Sequence, residues 1–280
     1  MKIALVTDST SDIPPELARK HHITIVPNVI ILEGKSIEDD EAFSREDFYD
    51  RLPALKSFPT TSTASSGRYH AVYDSLLKQG YEGILSIHAS RFLSGIYNAA
   101  SAAAQAFAGR VQVIDSQQVS LGLGFQVLEA AEALSKQATK ETVIEFLDSM
   151  RQKIRLVAML DTLEYLRRSG RVSWARASLG ALLNIKPFVE MRDGLVHRLG
   201  EVRTRRKGIA RLVSLLHGLA PLKRLAILHT NSFDDARQML AAVPVVLTEP
   251  LVVNVTTVIG AHVGPKGLGF VAVTANASSL

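Results

Sequence analysis

Between Pro59 and Ser65 the chain places hydroxyls at Thr60, Thr61, Ser62, Thr63 and Ser65. The stretch that follows carries apolar residues at helical spacing (Tyr69, Val72, Tyr73, Leu76, Leu77) and stops at Gly80. The hydroxyls therefore sit where a helix start leaves backbone N–H groups unpaired and the helix dipole is positive. Such a spot suits a carboxylate or a phosphate. An ordinary capping turn explains the same hydroxyls without any ligand. Leu93-Ser94-Gly95 repeats the arrangement ahead of a second helix, after a strand that ends at His88. Two hydroxyl-bearing helix starts that each follow a strand are expected to face one crevice at the carboxyl ends of a parallel sheet. Asp115-Ser116, after the next strand, either borders that crevice or only forms a turn.

Other chemistry is thinner. His262 lies in Ile259-Gly260-Ala261-His262-Val263-Gly264-Pro265, where the glycines permit an unusual turn and close approach of backbone to a ligand. A lone histidine is more often a packed structural residue, but this setting favours contact with a head group. Histidine and carboxylate spacings suited to zinc do not occur, so no metal site is expected. Gly122-Leu123-Gly124 lacks the rest of a dinucleotide fingerprint, and Gly264 to Gly269 lacks a Gly-Lys-Ser/Thr ending, so no nucleotide cofactor is expected. Asp8 after the first strand, with Asp12 beyond it, supports one alternative, a stand-alone small-molecule phosphatase or phosphotransferase with Asp8 as nucleophile. The supporting constellation for that reaction is missing, and the first reading names no catalytic residue.

Composition narrows the class. The 280 residues contain no cysteine, which excludes disulfides and thiol chemistry and fits a reducing compartment. The excess of basic residues is small, 32 against 27 acidic. Its one dense cluster, Arg203, Arg205, Arg206 and Lys207, lacks the interleaved aromatics of a nucleic-acid surface. Nucleic-acid binding is therefore not expected. The most apolar stretch, Val243 to Val263, is interrupted by Glu249, Pro250, Asn254 and His262 and is rich in Val and Thr, so it reads as strands and not as a membrane span. The N-terminus reads as a strand and not as a signal peptide, which points to a cytoplasmic protein.

These residues must be positioned by alternating strands and helices. Strands are expected at Ile3 to Thr7, Ile23 to Leu32, Ile84 to His88 and Val111 to Ile114. Helices are expected from Pro15, at Ser44 to Arg51, 65 to 79, Ser94 to Phe107, Ser120 to Gln137 and Lys140 to Lys153. The alternation implies a mostly parallel sheet with flanking helices. After a strand at Ile154 to Leu160, Asp161 and Glu164 suggest a capped helix ending at Gly170. Asp193-Gly194 between two apolar runs marks a hairpin. Helices at Thr204 to Leu219 and Phe233 to Ala242, a strand at Leu225 to His229 and two terminal strands complete the pattern. The expected fold is α/β with two domains: residues 1–153 as an N-terminal α/β domain and residues 154–280 as a C-terminal mixed α/β domain containing the hairpin.

One ordered set of short motifs spans nearly the whole chain: Thr7-Asp8-Ser9-Thr10-Ser11-Asp12, Thr60-Thr61-Ser62, Leu93-Ser94-Gly95, Asp115-Ser116, Leu163-Glu164-Tyr165-Leu166 to Gly170-Arg171-Val172, Ile185-Lys186-Pro187, Arg203-Thr204 and Ile259-Gly260-Ala261-His262. The set closely resembles the DegV family of bacterial fatty-acid-binding proteins. The chain departs from the family pattern at Thr63-Ala64, Ile96 and Lys266. The resemblance implies a non-catalytic carrier that holds a long-chain fatty acid between its domains. It presents the carboxylate to a separate ATP-dependent fatty acid kinase, and the acyl phosphate passes to an acyltransferase for phospholipid synthesis. By the same resemblance Thr61 and Ser94 bind the carboxylate, and Arg203 and His262 lie near the head group or dock the kinase. Ser62, Gly95 and Ser116 are secondary candidates. Alanine- and leucine-rich segments, Ala99 to Phe107 and Ala175 to Leu183, are candidate walls of the tail tunnel or ordinary core.

Overall fold

The computed structural model describes residues 2–177, 185–243 and 246–275. In chain order the elements of the first half are β1 (Ile3–Asp8), α1 (Pro15–Lys20), β2 (Ile23–Val26), β3 (Val29–Leu32), β4 (Lys35–Glu38), α2 (Arg45–Arg51), β5 (Thr60–Ser62), α3 (Ser66–Lys78), β6 (Gly83–His88), α4 (Ile96–Ala104), β7 (Val111–Asp115), α5 (Leu121–Ser135) and α6 (Lys140–Arg151). The second half adds β8 (Ile154–Met159), α7 (Glu164–Ser169), α8 (Ser173–Ala177), β9 (Lys186–Arg192), β10 (Leu195–Val202), α9 (Arg205–His217), β11 (Leu222–His229), α10 (Phe233–Leu240), β12 (Leu251–Asn254), α11 (Thr257–Val263) and β13 (Leu268–Thr274).

Three sheets result. A parallel sheet runs β2-β1-β6-β7, with Leu5 opposite Ile23 on one side and Leu85 on the other. A mixed sheet runs β10-β9-β8-β13-β11-β12, with only β11 and β12 parallel. A small antiparallel sheet, β4-β3-β5, was not foreseen. It arises because the expected strand from Ile23 to Leu32 is two strands in different sheets. Pro27 offers no N–H for a ladder, and the Asn28 N–H donates to Ser9 Oγ at 3.2 Å, so pairing breaks and the chain turns away.

α5 lies between the parallel and mixed sheets, and its residues from Leu121 to Ala131 are all buried. A helix that is apolar on every side belongs in such a place. Alternation along β11 divides its side chains. Ala226 and Leu228 join the large core shared with the first half, whereas Leu225 and Ile227 pack with Leu212 of α9 and Met239 of α10. Glu129 of α5 is the buried charge in this layer, and it accepts hydrogen bonds from Lys223 Nζ at 2.8 Å and Arg224 Nε at 2.6 Å on β11.

Other expectations shift locally. The helix from Ser94 ends at Ala104 and tightens into a 3-10 turn, Gln105–Phe107. Asp161 does not cap α7, because its carboxylate is taken by Lys186 Nζ at 2.5 Å. Thr162 Oγ1 accepts the Glu164 N–H instead, at 3.2 Å. Gly170 stops α7 at φ 72 as its position suggested. The hairpin at Asp193-Gly194 joins β9 to β10. The segment ending at Val263 contains strand β12 but then helix α11, so His262 stands on a helix and not in a turn. Of the segment Ala175 to Leu183, residues 178–184 lie outside the described residues. In the other candidate wall, Ala100 and Ala103 are ordinary core.

Candidate functional site

The start of α11 belongs to the second half of the sequence but is held by the first. Asp12 Oδ1 accepts the Thr256 N–H at 2.8 Å, Tyr49 OH donates to the Val255 carbonyl at 2.9 Å, and Arg45 donates to the Asn254 carbonyl at 2.5 Å. Gly260 makes the approach possible, since a Cβ there would lie 2.3 Å from Tyr49 OH. α11 is thereby pressed against β5, and His262 Nε2 reaches Thr61 Oγ1 at 2.9 Å across 201 positions of sequence.

Thr61 and His262 line a cavity of about 420 Å³. Ser94 and Gly95, just before α4, and Ser62 also line it, so four of the hydroxyl-and-glycine candidates and His262 meet in one place. Thr61 is reached by a different route from the one expected. Thr60–Ser62 is an edge strand pairing with β3, Thr61 opposite Ile30, and α3 is capped by Ser65 alone. Ser94 Oγ accepts the Ile96 N–H at 3.3 Å and keeps its own proton available.

Two candidates fall elsewhere. Ser116 is fully buried and closes its own turn, with its hydroxyl donating to the Gln118 carbonyl at 3.3 Å and accepting the Gln118 N–H at 3.1 Å. Arg203 is exposed just beyond β10 and, unlike Val196 near the start of that strand, does not line the cavity. It is therefore not among the residues gathered with Thr61, Ser94 and His262. Among the polar lining residues, Thr10, Asn28, Arg91, Asn98 and Arg171 were not singled out as site residues. Arg171 sits in the Gly170-Arg171-Val172 motif, but nothing in its own spacing marked it.

Charge at the site is set by burial. His262 is pushed down to about 4 by burial first and by the nearby Arg171 guanidinium second, so its ring is neutral at pH 7. Behind the cavity wall, Asp8 Oδ1 accepts from the Thr10 N–H at 3.0 Å, from Thr10 Oγ1 and from Asn28 Nδ2 at 3.3 Å. Its Oδ2 is 2.9 Å from His88 Nδ1 and accepts the Ala89 N–H at 3.4 Å. Asp8 is wholly buried with both oxygens committed, which leaves it no face for nucleophilic attack.

The cavity continues inward. A smaller space of about 100 Å³, lined mainly by apolar residues such as Leu156, Ala158, Met191 and Leu228, lies against the mixed sheet. Val119, Leu166, Val196, Ile259 and Val263 line both spaces, so the two adjoin, the first with hydroxyl, amide and guanidinium groups among apolar residues and the second almost wholly apolar.

The family model described as "Uncharacterised protein, DegV family" matches residues 2–275. The chain belongs to the DegV family. A DegV domain-containing protein of Deinococcus radiodurans is 38% identical over 248 residues, 86% of this chain and 87% of that one. The solved structure of a Thermus thermophilus DegV family protein, described by its fatty acid binding, superposes with a TM-score of 0.90 at 34% identity, covering 98% of this chain and all of the other. Bacillus subtilis DegV, described as a fatty acid binding protein, gives a TM-score of 0.85 at 31% identity, covering 98% and 100%. Within this DegV-family chain no helix of the described residues is long and apolar enough to cross a membrane. No group of described His, Asp or Glu side chains is arranged to hold a metal ion.

Proposed function

We propose that this chain is a carrier for a long-chain fatty acid, with the carboxylate at Thr61 and Ser94 and the tail running inward to the space beside Leu156 and Met191. The observation that carries the reading is that the cavity bearing Thr61, Ser94 and His262 shares an apolar wall with a second space whose lining is almost wholly apolar. Burying a methylene contributes about 0.8 kcal/mol, so a tail of about fourteen methylenes offers on the order of 10 kcal/mol before the cost of ordering it. The hydroxyls then mainly prevent an unpaired buried carboxylate, which would cost several kcal/mol. The binding that relatives' descriptions report for themselves agrees with this reading.

In the same proposal residues 1–153 and 154–280 act as two domains that close on the ligand, and the chain itself is not an enzyme. It presents the carboxylate to a separate ATP-dependent kinase, and the acyl phosphate passes to an acyltransferase. The exposed Arg203 belongs to the kinase-docking surface in this scheme, and the neutral His262 orients Thr61.

Lipid extraction and native mass spectrometry of the purified chain should find a bound fatty acid. Hexadecanoate binding should weaken about tenfold or more in Thr61→Ala/Ser94→Ala, since each hydrogen bond to a charged group is worth about 1.5–3 kcal/mol. Unchanged affinity removes the head-group assignment. With ATP alone the chain should form no acyl phosphate, and turnover without a kinase would overturn the carrier reading.

A further inference from the structure

The polar cavity holds more recognition capacity than a carboxylate can use. Its lining contains two arginines, Arg91 and Arg171, and no aspartate or glutamate. A carboxylate brings one negative charge and about four lone-pair sites, which Thr61, Ser94 and one guanidinium can serve. Three groups towards the mouth are left over. The side chains of Thr63 and Asn98 line the cavity and make no hydrogen bond with any described residue. Arg91 approaches Asp115 only at 3.5 Å, lies over the Phe92 ring at 5.3 Å and is 54% exposed. All three line the same cavity as Thr61 and Ser94, and Thr63 and Asn98 stand beside the Ser94-Gly95 step. A Cβ on Gly95 would lie 3.8 Å from Thr63 Cγ2, and Asn98 stands in the first turn of α4, which begins just past Ser94 and Gly95.

We propose that Thr63, Asn98 and Arg91 form an outer anion subsite for the phosphoryl group of a single-chain acyl phosphate whose carbonyl remains at Thr61 and Ser94. The inference rests on the carrier reading and adds the residues that would hold the phosphorylated ligand. A phosphoryl group supplies three strong acceptor oxygens and up to two negative charges. Two uncommitted neutral side chains and a second guanidinium match that demand, and a carboxylate leaves them idle. All three residues position the ligand and take no part in bond making.

The test compares hexadecanoate with 2-oxoheptadecylphosphonate, in which a methylene replaces the labile bridging oxygen of hexadecanoyl phosphate. The wild-type chain should bind the phosphonate about tenfold more tightly than hexadecanoate. Thr63→Val/Asn98→Ala/Arg91→Gln should erase that preference while hexadecanoate affinity stays within about twofold, which also reports that the variant is folded. Equal affinities in the wild type, or a preference that survives the triple variant, would overturn the subsite. A lysophosphatidate with the same tail separates its carbonyl from its phosphate by a glycerol and should gain nothing. An equal gain for it would overturn the placement beside the carbonyl. Failure of hexadecanoate itself to bind the wild type counts against the carrier reading, and is read separately.

Discussion

Asp8 and Asp12 bracket a single 3-10 turn, Ser9–Ser11, and both are buried, yet their carboxyls move in opposite directions. For each, burial alone pushes the pKa up. Around Asp8 that push is outweighed by the hydrogen bond and electrostatic pull of His88 and by the two Thr10 bonds, so its carboxyl sits below the usual range. Around Asp12 burial prevails over Arg45, Ser120 and the Thr256 N–H, with Asp39 adding repulsion, and the carboxyl is raised to about 6. Depth is the same; the difference lies in who supplies the donors. Those of Asp8 come from the adjoining turn (Thr10), from Asn28 just ahead of β3 and from His88 and Ala89 at the end of β6. Those of Asp12 come from Arg45 of α2, from Ser120 just before α5 and from Thr256 in the second half of the chain. Asp8 is a fixed support behind the cavity wall, and Asp12 is a joint between halves that proton binding can adjust.

The largest effect should follow from breaking the Asp8 side. Asp8→Ala leaves the Thr10 and Ala89 N–H groups, Asn28 and His88 without their acceptor, and removing one partner of such a buried set costs about 3–5 kcal/mol. Urea unfolding measures it, and a loss below about 1 kcal/mol would mean the wall does not depend on Asp8.

A smaller effect, of opposite pH sign, should appear at Asp12. Its folded pKa, about 6, exceeds the unfolded value of 3.8. Its contribution to stability is therefore full below the unfolded value and lost as pH rises through about 6. A shift of this size corresponds to about 3 kcal/mol. His262 and His229, each depressed to about 4, pull the other way, because unfolding lets them bind protons as pH falls below their ordinary value. The difference between Asp12→Asn and wild type isolates the carboxyl. That difference should rise in favour of the variant by about 3 kcal/mol from pH 4 to pH 7, and a flat difference would mean Asp12 is not strained when ionised.

The smallest effect concerns the far end of α11. His262 is neutral, and glutamine can replace its hydrogen bond to Thr61, so hexadecanoate affinity at pH 7 should change by less than about twofold in His262→Gln. A tenfold loss, measured by titration calorimetry, would show that a charged ring at this end of the helix acts on the head group.

The regular elements were legible where the local signal and the final environment agree. Ser44, Ser65 and Thr139 cap the helices they precede, and Gly170 and Asp193-Gly194 stop and turn the chain as their types suggest. Thr60–Ser62 was misread because three hydroxyl residues look like a turn, and their strand character comes only from pairing with β3 some thirty positions earlier. α11 was misread because Thr257, Val258, Ile259 and Gly260 disfavour a helix in isolation and Gly264 follows at once. Burial of Val258, Gly260 and Ala261 and the capping of Thr256 override that preference. A shared crevice for the Thr61 and Ser94 segments was expected from their placement after strands, but the contact of His262 with Thr61, across 201 positions, has no local signal. The family resemblance implied His262 near Thr61, and put Arg203 either near the head group or on a kinase-docking surface; its exposed position outside the cavity fits the second of these.

The strand order of the mixed sheet bears on how the cavity comes into being during synthesis. β13 lies between β8 and β11, so both wait for residues 268–274 before their facing edges are paired. Translation at roughly 5–20 residues per second separates the emergence of β8 from that of β13 by about 6–23 s. Through that interval the nascent chain carries two open strand edges and no closed inner space. In the carrier proposed above, lipid capture would therefore wait for β13, and a chain stalled before that strand should gain no stability from added fatty acid.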